Sequence, residues 1–301
     1  QIAVMNHYRI THKTHYQYSS PVIIQPQILR LCPRSDGAQW LRNYQLEISP
    51  KSTQISYFLD EQGNTCTQVT FAQSLEQPLS EWHITAVSDV TTTRSNPFDY
   101  LSEPWAVRSP INYPVSLAAT LAPYLKETVG ESAIAPTVIE FAHSLLHEVS
   151  GHIGYFLMQL TQRIPQRCSY KQRLEGEPYA PAITLSKRSG SCRDYTVLFI
   201  AACRAIGLAA RFVSGYQEGD LAKTTHDLHA WAEVYIPGGG WRGFDPTLGL
   251  AVGDTHVAIA AAARHWQAAP VAGNIKAKPP AEQPIKTHLE SDITIEKTIH
   301  E

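Results

Sequence analysis

Charged residues are scarce in this sequence, and neither sign dominates. Only 17% of the 301 residues are charged, and 25 Lys and Arg against 27 Asp and Glu give a formal net charge of −2. Such a chain has no general attraction to a phosphate backbone or to anionic lipid. We therefore expect neither a nucleic acid nor a membrane as its partner.

Long apolar runs and closely paired cysteines are also missing. No run of about 18 apolar residues is present, which argues against a membrane-spanning helix, and residues 1–8 lack the pattern of a signal peptide. The cysteines are odd in number and have no Cys-x-x-Cys spacing, which disfavours a disulfide framework or a structural zinc site. They are Cys32, Cys66, Cys168, Cys192 and Cys203. We expect reduced thiols and a cytoplasmic location.

The first 95 residues predict a domain made of strands. Short β-rich segments alternate with turn signals, and Ser19-Ser20-Pro21 breaks the first of them, Tyr8–Tyr18, from the next, Val22–Leu31. This pattern is typical of an antiparallel β-sandwich. A proline-rich connector follows at about residue 96, so we predict an N-terminal β-sandwich-like domain over 1–95.

The remainder of the chain mixes helices and strands, so the predicted fold class is α+β. Helices are predicted at Val115–Lys126, Thr137–Val149 and Arg193–Ile206, the last capped by Gly207. Predicted strands follow at 209–216, 230–236 and 241–244, the last two joined by a glycine-rich turn. We assign 96–273 to this second domain and 274–301 to a tail, in which Ile293–Ile299 could return as an edge strand.

Cys192 is the cysteine with the clearest chemical signal. It follows Ser189-Gly190-Ser191 and begins a predicted helix. Backbone N–H groups at a helix start are unpaired and favour negative charge, which activates a thiol and can hold the oxyanion of a tetrahedral intermediate. Small residues before it allow a substrate backbone to approach closely.

His229 and Asp245 complete a possible catalytic group. His229 stands at the entry to one strand of the predicted hairpin, and Asp245 stands at the end of its partner strand. Neighbouring strands of a hairpin face each other, so Asp245 is expected beside His229. Cysteine, histidine and aspartate together form the acyl-transfer triad with a sulfur nucleophile.

These motifs resemble the bacterial transglutaminase-like superfamily. The resemblance is carried by three segments in order, 190–194 with 207–216, His229–Tyr235 and Gly240–Thr247. Segments 16–21, 29–33 and 60–64 also resemble the β-rich N-terminal domain of that family. Together these segments extend over the chain from about Tyr8 to Gly273.

The resemblance implies a papain-like core with the nucleophile at a helix N-terminus, packed on an antiparallel sheet. Cys192 would be the nucleophile, His229 the base and acid, and Asp245 the group that orients His229. Arg193 stands where animal transglutaminases carry a tryptophan, and no calcium-loop pattern is present, so an animal-type substrate preference and a calcium requirement are not carried over. The second oxyanion donor is Tyr170 or Gln172, of which we favour Tyr170.

Other residues have plainer interpretations. Trp231 is predicted near the site, as a substrate contact or as a shield of the His229–Asp245 bond. The other four cysteines are predicted in the core.

His226 is a competing candidate for the catalytic base, but only His229 is the first residue of a predicted strand. A metal site formed by His226 and His229 would lack further ligands. Three histidines of the first strand are predicted as surface residues: His7, His12 and His15.

We therefore predict an enzyme for cysteine-dependent acyl transfer on a peptide, protein or small amide, passing through a thioester on Cys192. Hydrolysis, as in a protease or amidase, is favoured over transamidation, since water needs no dedicated subsite. No metal or organic cofactor is expected, and the oligomeric state is left open. The alternatives are a catalytically silent binding or scaffold protein with the same fold, and a redox thiol protein with a second cysteine near Cys192.

Overall fold

The structure is a computed structural model that describes residues 5–52, 54–71, 78–126, 128–129, 132–173, 176–219, 226–277 and 284–299. Its N-terminal part consists of strands only, and the remainder alternates helices with strands. The first five strands are β1 Asn6–Leu29, β2 Gln39–Ser49, β3 Gln54–Leu59, β4 Thr65–Thr70 and β5 Leu79–Thr92. The predicted α+β class, with its β-rich N-terminal part, is confirmed.

The second part contains five α-helices, two short 3-10 helices at Pro104–Ala106 and His265–Ala268, and eleven strands among the described residues, several of the strands being only two residues long. The helices are α1 Val115–Leu125, α2 Pro136–Glu148, α3 Ile153–Arg167, α4 Pro181–Lys187 and α5 Cys192–Ala205. The strands are β6 Thr128–Val129, β7 Ser132–Ala133, β8 Ser169–Tyr170, β9 Ser189–Gly190, β10 Ala210–Gln217, β11 His229–Ile236, β12 Gly240–Asp245, β13 Leu250–Ala251, β14 His256–Ala262, β15 Val271–Ala277 and β16 Thr287–Ile299. No described helix has the length and apolar character needed to cross a bilayer.

Strand β1 organises the N-terminal sheet. Its first half pairs with β5 and β16, and its second half pairs with β15 and β4. The seven strands β1–β5, β15 and β16 belong to one sheet, and buried residues from both halves of β1, such as Ile10 and Ile24, belong to one apolar core. The predicted break at Ser19-Ser20-Pro21 does not interrupt the strand. It marks the place where β1 changes partners, since the register with β5 shifts between Gln17 and Val22.

The domain boundaries at about residues 95 and 273 stay a prediction. Strand pairing in the N-terminal sheet extends across the boundary at residue 273. Strand β15 contains Gly273 and pairs with β1, and β16 lies within the segment predicted as a tail. β16 pairs with β1 from Asn6↔Ile299 to Tyr18↔Thr287, so it is longer than the predicted Ile293–Ile299.

The second sheet is antiparallel, with the order β13-β12-β11-β10-β14. Helix α5 packs on one face, and its buried Leu198 and Phe199 share a core with Val234 and Phe244 of the sheet. The N-terminal domain covers the other face, where Tyr216, Val257 and Ile259 join its core. The five-stranded sheet is thus enclosed between α5 and the N-terminal strands.

Two buried amide side chains attach the N-terminal domain to the outer edge of β14. Gln39 donates to the Ala258 carbonyl at 2.9 Å and accepts from its N–H at 2.7 Å. Asn64 makes the same pair of bonds with Ala261, at 3.0 and 2.8 Å. These side chains satisfy an edge that would otherwise leave backbone groups unpaired. They fix the domain beside the strand that follows the catalytic motifs.

Candidate active site

Cys192 is the first residue of α5, and the preceding loop is shaped by Asp194. One carboxylate oxygen of Asp194, Oδ2, accepts from the Ser191 N–H at 2.7 Å and from the Ser191 hydroxyl at 2.9 Å. A Cβ at Gly190 would lie only 2.7 Å from Asp194 Cβ, so a side chain there would clash. The loop therefore needs glycine at 190, and Ser191 and Asp194 form a capping box that begins α5 at Cys192.

Asp194 is fully buried and holds the loop before Cys192 in place. Its second oxygen, Oδ1, accepts from Arg173 Nη2 at 2.9 Å and from the Tyr179 N–H at 2.6 Å. The carboxylate thus connects the loop before Cys192 to the segment around Arg173 and Tyr179. This network takes up both oxygens of Asp194, which has 0% exposure.

The structure brings Cys192, His229 and Asp245 together. His229 is the first residue of β11, and Asp245 is the last residue of β12. The two strands pair from Ile236↔Gly240 to Ala232↔Phe244, and beyond that register His229 Nε2 lies 2.7 Å from Asp245 Oδ2. The Cys192 thiol lies close enough to the His229 imidazole to contribute to raising the pKa of His229. Since Asp245 occupies Nε2, the nitrogen left for the thiol is Nδ1.

The electrostatics of the group favour a charged imidazole. Burial lowers the pKa of His229, but its hydrogen bonds to Asp245 and Cys192 and the nearby negative charge outweigh burial and raise that pKa to about 10. Burial opposes ionisation of Asp245 as well, yet the hydrogen bonds from His229 and His256 hold its pKa far below the ordinary carboxyl value. At neutral pH the imidazolium–carboxylate pair is thus the favoured state.

His256 is a fourth member of the group that sequence reasoning missed. It lies at the start of β14, is 3% exposed, and places Nε2 3.1 Å from Asp245 Oδ2. Burial lowers its pKa, so this imidazole is neutral and donates from Nε2, while Nδ1 contacts the Thr255 hydroxyl at 3.1 Å. The signal was hidden because the alanine-rich segment around His256 did not predict a strand.

Asp245 also accepts two backbone hydrogen bonds through Oδ1. They come from the Thr247 N–H at 2.8 Å and the Leu248 N–H at 3.2 Å. Every contact of the buried carboxylate is therefore with a donor, two N–H groups on one oxygen and two histidines on the other. When His229 is neutral, this arrangement keeps its remaining proton on Nε2, where Asp245 Oδ2 accepts it.

The two candidates for the second oxyanion donor lie in different surroundings. Tyr170, in β8, is half exposed and lines the same cleft as Cys192. Burial of part of its ring and the neighbouring Cys192 raise the pKa of Tyr170 to about 12, so its hydroxyl keeps its proton. Gln172 instead donates its amide to Asp227 at 2.7 Å. Tyr170 therefore has the freer donor, and its role stays a prediction.

Trp231 lies behind the site. Its ring is 1% exposed and packs edge-on against His256, with 5.1 Å between ring centroids. Cys192 and His229 line the cleft, whereas Trp231 lines a separate cavity on the far side. This position suits a shield of the buried histidine–aspartate bonds better than a substrate contact.

The cleft has a volume of about 350 Å³ and two kinds of wall. One wall comes from the second domain and contains Tyr170, Cys192, His229 and Trp266. The other wall comes from strands β1, β15 and β16 of the N-terminal sheet. The second wall includes His12, Thr14, Tyr16, Leu289 and Ser291. His12 is therefore not the surface residue predicted above: it is 4% exposed and contacts the Tyr216 hydroxyl at 3.0 Å.

Among the described residues, His229, Asp245 and His256 are the donor set near the cleft that could hold a metal ion. Both histidines already direct Nε2 to one oxygen of Asp245, so the set is satisfied by its own hydrogen bonds. His226 is placed elsewhere, with its N–H donating to the Ile293 carbonyl at 2.7 Å. The other four cysteines are buried and unpaired, as predicted.

A cysteine, a histidine and an aspartate grouped at the start of a helix on an antiparallel sheet are found together here, and comparison with known families assigns the chain. The Transglutaminase-like superfamily model matches residues 140–246, and the Bacterial transglutaminase-like N-terminal region matches residues 8–91. The chain belongs to the transglutaminase-like superfamily.

Three relatives place the chain more closely. An uncharacterized protein of Mycobacterium tuberculosis is 29% identical over 287 residues, covering 89% of this chain and 87% of that protein. A protein-glutamine gamma-glutamyltransferase of Pseudomonas aeruginosa is 35% identical over 100 residues, 27% of this chain and 15% of that protein. The crystal structure of a proposed cysteine protease from Cytophaga hutchinsonii superposes with a TM-score of 0.69 at 19% identity, covering 99% of this chain and 91% of that one. This last similarity supports the fold.

Proposed function

We propose that the protein is a cysteine-dependent acyl-transfer enzyme that acts on a peptide, a protein or a small amide. The single observation that carries the proposal is the grouping of Cys192, His229 and Asp245: His229 is hydrogen-bonded to Asp245 and lines the same cleft as Cys192, which is the first residue of α5. Activation of a sulfur nucleophile needs this arrangement, in which a thiol lies next to an imidazole and a carboxylate holds that imidazole in place.

In the proposed first step, the Cys192 sulfur attacks the substrate carbonyl carbon, and the C–N bond breaks. The Cys192 N–H and the Tyr170 hydroxyl would hold the oxyanion, because both donors border the cleft around the thiol. His229 gives its proton to the leaving amine, and a thioester remains on Cys192. Water or a second amine then attacks that thioester, with His229 accepting the proton.

Hydrolysis and transamidation differ only in the second nucleophile. The names of two relatives point to both outcomes, a glutamyltransferase and a proposed cysteine protease. We favour hydrolysis, because water needs no subsite of its own. The proposal includes a cytoplasmic, reducing location, where the Cys192 thiol and the other four unpaired cysteines would stay reduced.

Incubation with a peptide library, with and without a primary amine, tests substrate class and second nucleophile together. Mass spectrometry should detect peptides shortened by cleavage, or side-chain carboxamides converted to carboxylates, in the absence of the amine. With the amine present, hydrolysis predicts the same products, whereas transamidation adds the mass of the amine less that of ammonia. An unchanged library that contains carboxamide and peptide substrates would count against the enzyme and favour a silent scaffold.

Alkylation by iodoacetamide provides a test that needs no substrate. The cationic His229, whose pKa is raised to about 10, stabilises a thiolate beside it, and it loses its proton only as the pH rises through that value. We therefore expect Cys192, which lines the cleft beside this cation, to be alkylated faster than the buried cysteines at the same pH.

The chain contains its own controls for that experiment. Burial raises the pKa of Cys32 and of Cys66 to about 11, and it also raises the pKa of Cys168 and of Cys203. Peptide mapping should therefore find the label on Cys192 alone at low pH. If Cys192 were labelled no faster than these four cysteines, an activated nucleophile would be ruled out.

A further inference from the structure

The outer face of the N-terminal sheet carries metal-ligating side chains from three adjacent strands. His15 lies on β1, Glu81 and His83 lie on β5, and Glu290 lies on β16. His15 is the direct cross-strand partner of both His83 and Glu290. Donor atoms of His15, Glu81 and His83 all lie within 4.8 Å of one another. The strand register thus gathers these side chains before any ligand binds, which lowers the entropy cost of forming a site.

His15 is the centre of this cluster. Its Nε2 is 2.9 Å from Glu81 Oε2, its Nδ1 is 3.8 Å from Glu290 Oε2, and its ring stacks on His83 with 3.9 Å between centroids. A neutral imidazole has one proton, which here lies between Nε2 and Glu81. A metal ion can replace that proton, since it would then be bound by a ring nitrogen and a carboxylate oxygen at once.

We propose that His15, His83 and Glu81 bind a divalent transition metal of the zinc type, with water in the fourth position. Imidazole nitrogen and carboxylate oxygen are the donors that zinc uses when three protein ligands leave one position open. With the metal on Nε2, the ring proton of His15 moves to Nδ1, where the Glu290 carboxylate stands to accept it. Such a carboxylate–histidine–metal series orients a ligand and strengthens its binding.

The site would lie on the back of one wall of the cleft. In β1 the residues on either side of His15, Thr14 and Tyr16, line the cleft, and in β16 so do the neighbours of Glu290, Leu289 and Ser291. Alternate residues of a strand point to opposite faces, so one strand segment serves both surfaces. A metal that ties β1 to β5 and orients Glu290 of β16 therefore stiffens that wall.

Zinc binding by the full chain tests the proposal, in a Cys192→Ser background that removes the cleft thiol as a competing ligand. Isothermal titration with zinc chloride should show one equivalent bound at this site. The substitutions His15→Gln and His83→Gln should each weaken that binding at least tenfold, because each removes a ligand. Glu290→Gln should weaken it less, because Glu290 acts through His15.

The matched control is His143→Gln, a change of an exposed histidine on α2 that should leave zinc affinity unchanged. A melting temperature measured without zinc shows whether each variant is folded. Should His15→Gln unfold, His83→Gln alone provides the test, because His83 is exposed and its replacement should not disturb the fold. In the parent, zinc should raise the melting temperature, and in both histidine variants this rise should disappear. Undiminished affinity in both folded variants would overturn the proposal and assign the zinc to His229, Asp245 and His256.

Discussion

Replacing Cys192 by alanine should reduce turnover of the amide or peptide substrate at least about a thousandfold, because the variant cannot form a thioester. Binding should survive, since the remaining cleft residues, among them Tyr170, His229 and Trp266, are unchanged. The variant is therefore expected to lose kcat while its substrate Kd stays within a few-fold of the parent. Initial rates and equilibrium binding to the same substrate measure the two effects separately.

Cys203→Ala is the matched control for this prediction. Cys203 lies on the same helix as Cys192 but is fully buried in the core, away from the cleft. Its replacement removes a buried sulfur and should lower the free energy of unfolding by about 1 kcal/mol. The folded Cys203→Ala variant should retain its turnover. Equal losses of turnover in the two variants would mean that the helix, and not the thiol, is what matters.

Asp245→Asn is expected to lower the rate by a factor on the order of 10³ to 10⁴, the size of the loss when the aspartate of a comparable triad becomes asparagine. An amide has one acceptor and one donor end. If its oxygen accepts from Thr247 and Leu248, its NH₂ faces His229 Nε2, which must then give up its proton. If the amide turns, the NH₂ faces the two backbone N–H groups. In either orientation of the amide, one set of hydrogen bonds made by Asp245 is lost.

The comparison variant for Asp245→Asn is His256→Gln. It removes one neighbour of Asp245 but leaves the His229–Asp245 bond, so we expect a rate loss of only about tenfold. The pH–rate profile distinguishes a positioning role from a loss of stability. Asp245→Asn should lower the pKa of His229, since the bond and charge that raise that pKa are lost, whereas His256→Gln should move it little. A profile unchanged in Asp245→Asn would contradict the assigned role.

Local motifs explain why the positions of Cys192, His229 and Asp245 could be predicted. A cysteine after small residues at a helix start, a histidine opening a strand and an aspartate closing its hairpin partner are all short-range patterns. The glycine-rich turn at 238–240 connects the two strands, which fixes their pairing. The structure places the three side chains in contact.

The elements that could not be predicted from the sequence depend on contacts between distant segments. Strand β14 is mostly alanine, which has weak strand propensity, and it forms because β10 pairs with one edge while Gln39 and Asn64 satisfy the other. His256 was missed for the same reason. Helix α3 was missed although its apolar residues Ile153, Phe156, Leu157 and Leu160 follow a helical period that could have been recognised.

The pairing of β1 with β16 has a consequence for how the molecule is made. Asn6 pairs with Ile299 and Tyr18 with Thr287, so the two strands are separated by almost the whole described chain. During synthesis one edge of β1 remains open until residues 287–299 have emerged from the ribosome, and closing so long a loop is slow. Leu289 and Ser291 belong to that segment, so the cleft acquires this part of its wall only after β16 has been synthesised and has paired with β1. A nascent chain that lacks β16 would therefore hold an incomplete cleft around Cys192.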